Sequence, residues 1–182
     1  MYKITLLGDS IRQIGYGTKV PELLGEGFEV YQPKENCRFS KNTLRGVTCE
    51  WAKEIECSDI VHWNNGLWDV LDYGYGIFTP EEEYIATMLK IAEILQDKAK
   101  KVIFATTTPV TENYKLTTVE TIRRYNAIIV PKLEKRGIII NDLHTTVWNN
   151  IEEYIREDNI HLSEAGIEVC AAQVCDIIKK NI

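Results

Sequence analysis

Short runs of apolar residues alternate with longer amphipathic segments along the whole chain. Three of the runs are almost continuously apolar and read ITLL, KVIFA and GIIIN. Such runs are typical of strands that are covered on both faces, as in a parallel sheet. Together with two less regular runs they predict five strands, over residues 3–7, 28–32, 59–63, 101–106 and 137–141.

The amphipathic segments between these runs predict helices. Residues 43–55 carry apolar side chains at helical spacing. A second helix is expected after Thr79, its N-cap, with Pro80 at the first helical position. A third helix contains Pro131, which predicts a kink or a break, and the last begins at Ser163.

The alternation of strands and helices predicts the fold class. We expect one α/β domain over residues 1–182, a three-layer α/β/α arrangement around a doubly wound, five-stranded parallel sheet. The flavodoxin-like strand order 2-1-3-4-5 fits this chain length. In that order ligands bind outside the carboxyl ends of the first and third strands, where the strand order reverses.

Polar residues follow both of those strand ends. Gly8-Asp9-Ser10 follows the first strand, and Asn64-Asn65-Gly66 follows the third. A nucleophilic serine needs a base to accept its proton and donors for the oxyanion that forms, and asparagine is a suitable neutral donor. Ser10 is therefore a candidate nucleophile, whereas Asp9 is predicted to brace the turn.

The base must be one of three histidines. His62 lies inside a predicted strand, which points it away from the crevice. His161 precedes the last helix and has Asp158 three residues upstream, a spacing that lets the carboxylate reach the ring. His144 follows the fifth strand and has Asp142 two residues upstream, which makes it the rival base.

These residues resemble a known family. Gly8-Asp9-Ser10, an asparagine-bearing end of the third strand, and Asp158-x-x-His161 near the C-terminus are similar to the motifs of the SGNH (GDSL) hydrolases. The resemblance covers nearly the whole chain in order and spacing. It implies the fold predicted above, with Ser10 as nucleophile, His161 as general base and Asp158 as its orienting partner.

The resemblance also implies an oxyanion hole, where the chain departs from the family pattern. The usual donors are the serine N–H, a backbone N–H after the second strand and an asparagine side chain. Here Arg38 lies near the position of the family glycine, and HxNxGLxD replaces GxND. The expected donors are Ser10, Arg38 and either Asn64 or Asn65.

Trp68 falls on the position of the family asparagine when Gly66 is aligned with the family glycine. We expect Trp68 and Asp9 to line the substrate pocket. The aromatic residues of the segment GLWDVLDYGYGIF are either simple packing or a wall for an apolar group or a sugar ring.

Composition and charge narrow the function classes. The net charge of -6 argues against a broad nucleic-acid or anionic-membrane surface, and no apolar stretch is long enough for a membrane span. No secretory signal is visible, so we expect a cytoplasmic protein. The five cysteines form no CxxC pair, so we expect no metal site and no cofactor.

The sequence thus predicts a serine esterase that hydrolyses small esters through an acyl-enzyme, with O-acetyl groups on a carbohydrate as the expected substrate. A lysophospholipase or thioesterase is the alternative within enzymes. A flavodoxin-like module that binds a small ligand without turnover is the alternative outside them. The partner is a small-molecule ester, with no nucleic acid and no membrane, and a homo-oligomer is left open.

Overall fold

A computed structural model describes all residues 1–182. Five parallel strands form one sheet in the order β2-β1-β3-β4-β5, as predicted. The strands are β1 (Tyr2–Leu7), β2 (Phe28–Tyr31), β3 (Ser58–Asn64), β4 (Ala99–Ala105) and β5 (Ile139–Asn141).

Helices cover both faces of the sheet. They are α1 (Ser10–Gln13), α2 (Val20–Leu24), α3 (Ser40–Thr48), α4 (Ala52–Ile55), α5 (Glu81–Lys98), α6 (Val119–Glu134), α7 (Leu143–Trp148), α8 (Ile151–Tyr154) and α9 (Glu164–Lys180), with a 3-10 turn at Tyr16–Thr18. Helix α5 contacts α3 and α6 in one layer, and α9 contacts α2, α7 and α8 in the other. The predicted α/β/α architecture is confirmed.

The apolar runs form the core because the sheet is covered on both sides. The last four residues of β1 and of β4 are all buried. Forty-one buried apolar residues form a single cluster that extends from the sheet into both helical layers. No helix combines the length and the apolar character needed to cross a membrane.

Helix boundaries follow local signals in most places. The Ser163 hydroxyl accepts a hydrogen bond from the Gly166 N–H, so Ser163 caps α9 as predicted. Helix α5 begins at Glu81, and Pro80 is its N-cap residue rather than its first helical residue. Pro131 lies inside α6, which continues to Glu134, so the predicted break there does not occur.

One predicted helix is wrong. The segment 43–55 is not continuous, because α3 ends at Thr48 and α4 begins at Ala52. Trp51 lies in the turn between the two helices. Its backbone N–H donates to the Gly46 carbonyl (2.7 Å), and its ring lies against Gly46. Burying this large side chain favours the turn over continued helix, and residue spacing alone does not reveal that.

Replacing Gly46 by alanine should destabilise the protein, although alanine is the better helix former. A Cβ atom at residue 46 would lie 2.1 Å from the Trp51 ring. We expect a loss of about 1–3 kcal/mol in the free energy of unfolding, measured by urea denaturation. The same change in a Trp51→Leu background should cost less, and an unchanged midpoint for Gly46→Ala alone would contradict the contact.

Candidate active site

Ser10 stands at the mouth of the crevice at the carboxyl end of β1. The strand ends at Leu7, and after Gly8 the Asp9 side chain accepts the Ile11 N–H and caps α1, whose first residue is Ser10. The Ser10 side chain is mostly covered, with 8% of the residue exposed. Its backbone N–H donates to no group of the protein and is therefore available to a bound molecule.

His161 reaches Ser10 from the opposite end of the sequence. Its Nε2 atom lies 3.0 Å from Ser10 Oγ, and its Nδ1 atom lies 2.9 Å from Asp158 Oδ2. Because a carboxylate can only accept, the proton of the neutral ring is on Nδ1 and Nε2 is the acceptor that faces the serine hydroxyl. Ser10, His161 and Asp158 form one continuous hydrogen-bonded series.

The rival histidine is engaged elsewhere. His144 is buried, and its Nδ1–H donates to the Thr107 carbonyl (2.9 Å) while its Nε2 accepts from Arg123 (3.4 Å). Burial is the main cause that lowers the pKa of His144. Neither ring nitrogen is free to accept a proton from Ser10, so the geometry favours His161.

Asp158 and His161 lie on a short loop, residues 155–162, which we call the dyad loop. Its ends are joined by an antiparallel bridge between Ile155 and Leu162, and the Arg156 N–H donates to the His161 carbonyl (2.9 Å). At its tip, Asn159 has a positive φ of 69°. The loop therefore holds the two side chains together independently of the sheet.

A contact from another segment holds the dyad loop against the body of the protein. The Thr111 N–H donates to the Asn159 carbonyl (3.0 Å), and the Thr111 hydroxyl donates to the Asn159 side chain (2.6 Å). The sequence contains no motif that singles out Thr111. Its role follows only from the way the segment after β4 folds over the loop.

The charge of Asp158 is strongly stabilised. Partial burial pushes its pKa upward, but hydrogen bonds from the His161 N–H and ring, the Ile160 N–H and the Arg156 side chain lower the pKa below its usual range. Asp158 is therefore ionised at neutral pH, as a partner of an imidazolium must be. The contribution of Arg156 was not foreseen from the Asp-x-x-His spacing.

Asp9 is placed differently from its neighbour Ser10. Only 1% of Asp9 is exposed, and its Oδ1 accepts hydrogen bonds from the Ile11 N–H and from Asn64 Nδ2, each 2.9 Å long. Burial raises the pKa of Asp9. The burial of Asp9 argues against the expectation that it lines the substrate pocket. The arrangement agrees with the predicted bracing of the turn.

A series of buried hydrogen bonds crosses the sheet and ends on Asp9. Because an amide nitrogen only donates, Asn141 Nδ2 donates to His62 Nε2 (3.1 Å), and the ring proton is on Nδ1, facing Tyr16 Oη at 3.5 Å. Tyr16 Oη donates to Asn64 Oδ1 (2.7 Å), and Asn64 donates in turn to Asp9. All donors point in one direction, toward the turn that carries Ser10.

Of the two candidate asparagines, Asn65 is the more deeply buried. It is 0% exposed, its Nδ2 donates to the Arg38 carbonyl (3.0 Å), and its Oδ1 accepts from Trp63 Nε1 (2.6 Å). Both polar atoms of the Asn65 side chain are thus used within the protein, which argues against Asn65 as the oxyanion donor. Instead, Asn65 links the end of β3 to the segment after β2. Asn64 is 5% exposed and keeps one amide hydrogen without a partner in the protein.

The backbone at Arg38 also differs from the expectation. Its φ of 51° is a conformation that glycine adopts most readily, which agrees with its alignment on a family glycine. However, the Arg38 N–H donates to Asn36 Oδ1 (2.7 Å) and is not free for an oxyanion. The N–H of the next residue, Phe39, has no acceptor in the protein.

Asp69 fixes the segment that carries Phe39. Its carboxylate accepts the Ser40 N–H (3.0 Å) and the Ser40 hydroxyl (2.6 Å) at the first turn of α3. Burial raises the pKa of Asp69 to about 6, and the hydrogen bonds from Ser40 oppose that rise. The last residue of the HxNxGLxD motif thus joins the loop after β3 to the loop after β2.

Aromatic and polar side chains surround this edge of the sheet. Trp68 is partly exposed, and Phe39 packs on the exposed Phe78 with ring centroids 5.0 Å apart. Beside Arg38 is a cavity of about 300 Å³, and Trp51 is the one apolar residue among the eight that line it. No cluster of three metal-ligating side chains is present.

Comparisons with known proteins identify the fold. No protein-family model and no curated protein matches the chain. Among solved structures, the acetyl xylan esterase AlAXEase is 20% identical, with 97% of this chain and 99% of that chain covered and a TM-score of 0.81. A lipase/acylhydrolase from Enterococcus faecalis is also 20% identical, with 99% and 96% covered and the same TM-score of 0.81.

A third similar structure is Axe2, an acetylxylan esterase from Geobacillus stearothermophilus. It is 18% identical, with 96% of this chain and 93% of that chain covered and a TM-score of 0.81. At these identities the likenesses show that the chain has the fold of these ester hydrolases, over nearly its whole length.

The buried His62 predicts a pH dependence of stability. Burial lowers its pKa to about 3, whereas an unfolded histidine titrates near about 6.5. As the pH falls from about 6.5 to about 3, the unfolded chain binds a proton that the folded chain does not, so stability is lost, by up to about 1.4 kcal/mol per pH unit. His62→Gln should flatten this dependence in urea titrations between these limits, and an unchanged slope would contradict it.

Proposed function

We propose that the chain is a serine ester hydrolase of the SGNH type, acting as one domain over residues 1–182. The observation that carries the proposal is the hydrogen-bonded series from Ser10 Oγ through His161 to Asp158, with contacts of 3.0 and 2.9 Å. The free Ser10 N–H beside the nucleophile adds a donor for an oxyanion.

The proposed reaction begins with attack of Ser10 Oγ on the ester carbonyl carbon. His161 Nε2 takes the serine proton, and Asp158 stabilises the imidazolium that forms. The tetrahedral intermediate collapses when His161 gives its proton to the leaving alcohol oxygen. Water then attacks the acyl carbonyl carbon while His161 accepts its proton. When the bond to Ser10 breaks, His161 returns this proton to Ser10 Oγ, and the free acid is released.

Three donors are proposed for the oxyanion. The Ser10 N–H and the Phe39 N–H are both without an acceptor in the protein. Asn64 Nδ2 has one hydrogen left after its bond to Asp9. We therefore infer that Phe39 replaces Arg38 as the backbone donor, and that Asn64 rather than Asn65 supplies the side-chain donor.

For the substrate we propose a small acyl group, such as acetyl, on a carbohydrate. Two of the similar structures are described as acetyl xylan esterases. In this chain a polar cavity of about 300 Å³ lies beside Arg38, the residue before the proposed donor Phe39, although neither Ser10 nor His161 lines it. A lipase/acylhydrolase is also among the similar structures, so the acyl-chain preference needs to be measured.

Ser10→Ala should lower hydrolysis of p-nitrophenyl acetate by at least about 10³-fold, because no other nucleophile lies at this position. A fluorophosphonate probe should label the wild type and not the variant. His161→Asn should act like Ser10→Ala, whereas the matched change His144→Asn should leave turnover within about threefold of wild type, provided that it folds. Serine-independent turnover without labelling would mean that the chain is not a serine hydrolase.

Asp158→Asn should lower kcat by up to about 10⁴-fold, because the amide cannot stabilise the imidazolium and favours the wrong tautomer. The measurement is the steady-state rate on p-nitrophenyl acetate, with circular dichroism to check the fold. A loss below tenfold would show that Asp158 is not the group that orients His161. Comparing acetyl with octanoyl esters then separates an acetylesterase from a lipase-like enzyme.

A further inference from the structure

Arg156 binds the same carboxylate oxygen as His161. Its Nε atom lies 2.7 Å from Asp158 Oδ2, and His161 Nδ1 lies 2.9 Å from that oxygen. The other oxygen, Oδ1, accepts the N–H groups of Ile160 (3.1 Å) and His161 (2.9 Å). The carboxylate is thus oriented from two sides, and one of its partners carries a permanent positive charge.

We propose that Arg156 is a positioning residue that holds Asp158 toward His161 and keeps His161 unprotonated to lower pH. The inference rests on the proposed function, because the protonation state of His161 matters for turnover only if His161 is the general base. The role is distinct from that of the triad residues, since Arg156 acts on His161 through Asp158.

The dyad loop fixes Arg156 where this effect can operate. The Arg156 N–H donates to the His161 carbonyl, and its carbonyl accepts the Asn159 N–H, each 2.9 Å long. Both ends of the residue are therefore tied into the loop that carries the pair. Because the backbone of Arg156 is held in this way, only a rotation of its side chain would separate the guanidinium from Asp158.

Two groups from other segments interact electrostatically with the pair. Asp9 lies close enough to His161 for charge interaction, from the turn after β1. Tyr114, from the segment after β4, lies close enough to Asp158 for the same kind of interaction, and burial raises its pKa. Arg156 is thus the one cation among these groups, since Asp9 and Tyr114 carry negative charge or none.

The sign of the effect follows from charge. A guanidinium close to an imidazolium disfavours the imidazolium, and it also makes the shared carboxylate a weaker acceptor for the ring. Removing the guanidinium therefore favours protonation of His161, and the acidic limb of the pH–rate profile moves to higher pH. Arg156 and Asp158 side chains are 45% and 39% exposed, so solvent screening limits the expected shift to about 0.5 pH unit.

The test compares the pH dependence of kcat/KM for three variants with that of the wild type. Arg156→Gln should move the midpoint of the acidic limb up by about 0.5 pH unit. At a pH well below that midpoint, kcat/KM should then be about threefold lower than in the wild type. Arg156→Lys keeps the charge and should restore most of the wild-type profile. Arg136→Gln removes an exposed charge beyond the end of α6 and should leave the limb in place.

A second measurement does not depend on turnover. In a Ser10→Ala background, NMR follows the ring protons of His161 during a pH titration, with His144→Asn used to assign the signals. The midpoint should rise by about the same amount when Arg156 is changed to Gln or to Met. An unmoved midpoint in both changes overturns the role of Arg156, whereas absence of Ser10-dependent turnover in the wild type overturns the proposed hydrolase instead.

Discussion

The close approach of the ends of β1 and β3 is the constraint on which the candidate site depends. A Cβ atom on Gly8 would lie 2.0 Å from Asn64 Oδ1, so only a residue without a side chain lets the two strand ends meet in this way. The approach brings the Asn64 amide to Asp9, and Asp9 caps the short helix that begins at Ser10. The position of the nucleophile thus follows from a missing side chain two residues before it.

The buried polar groups behind this contact favour one position of the turn that carries Ser10. Tyr16, His62 and Asn141 are each no more than 1% exposed and are connected through their side chains. Each such group would cost about 1–3 kcal/mol if it were left without its partner. A shift of the turn relative to the sheet would break several of these bonds together, so one position of Ser10 is strongly preferred.

Features set by local sequence were predicted well, and features set by tertiary contacts were not. The continuous apolar runs predict β1, β4 and β5 because parallel strands are covered on both faces. Ser10, Asp158 and His161 could be proposed from the sequence because their chemistry and their order along the chain are readable, and in the fold they lie within hydrogen-bond distance of one another. The inward orientation of Asp9 and Asn65 depends on partners from distant segments, which a single sequence does not show.

The same distinction applies to Arg38, Arg156 and Trp51. The positive φ of Arg38 agrees with the family alignment, but the capture of its N–H by Asn36 depends on a local turn that no motif marks. In the sequence, Arg156 is one of many charged residues near the C-terminus. Only the folded dyad loop shows that its side chain binds Asp158. The contact of Trp51 with Gly46 interrupts a helix that the spacing of apolar residues favours.

The closed dyad loop has a consequence for motion. Because the bonds that join Asp158, Arg156 and His161 all lie within the loop, a small shift of the loop relative to the sheet would move these residues together. Such a movement would leave the distance between His161 and Asp158 unchanged and alter only the distance between His161 and Ser10. The Thr111–Asn159 contact restrains that single distance. The distance between His161 and Ser10 therefore depends on how this eight-residue loop is held against the end of the sheet.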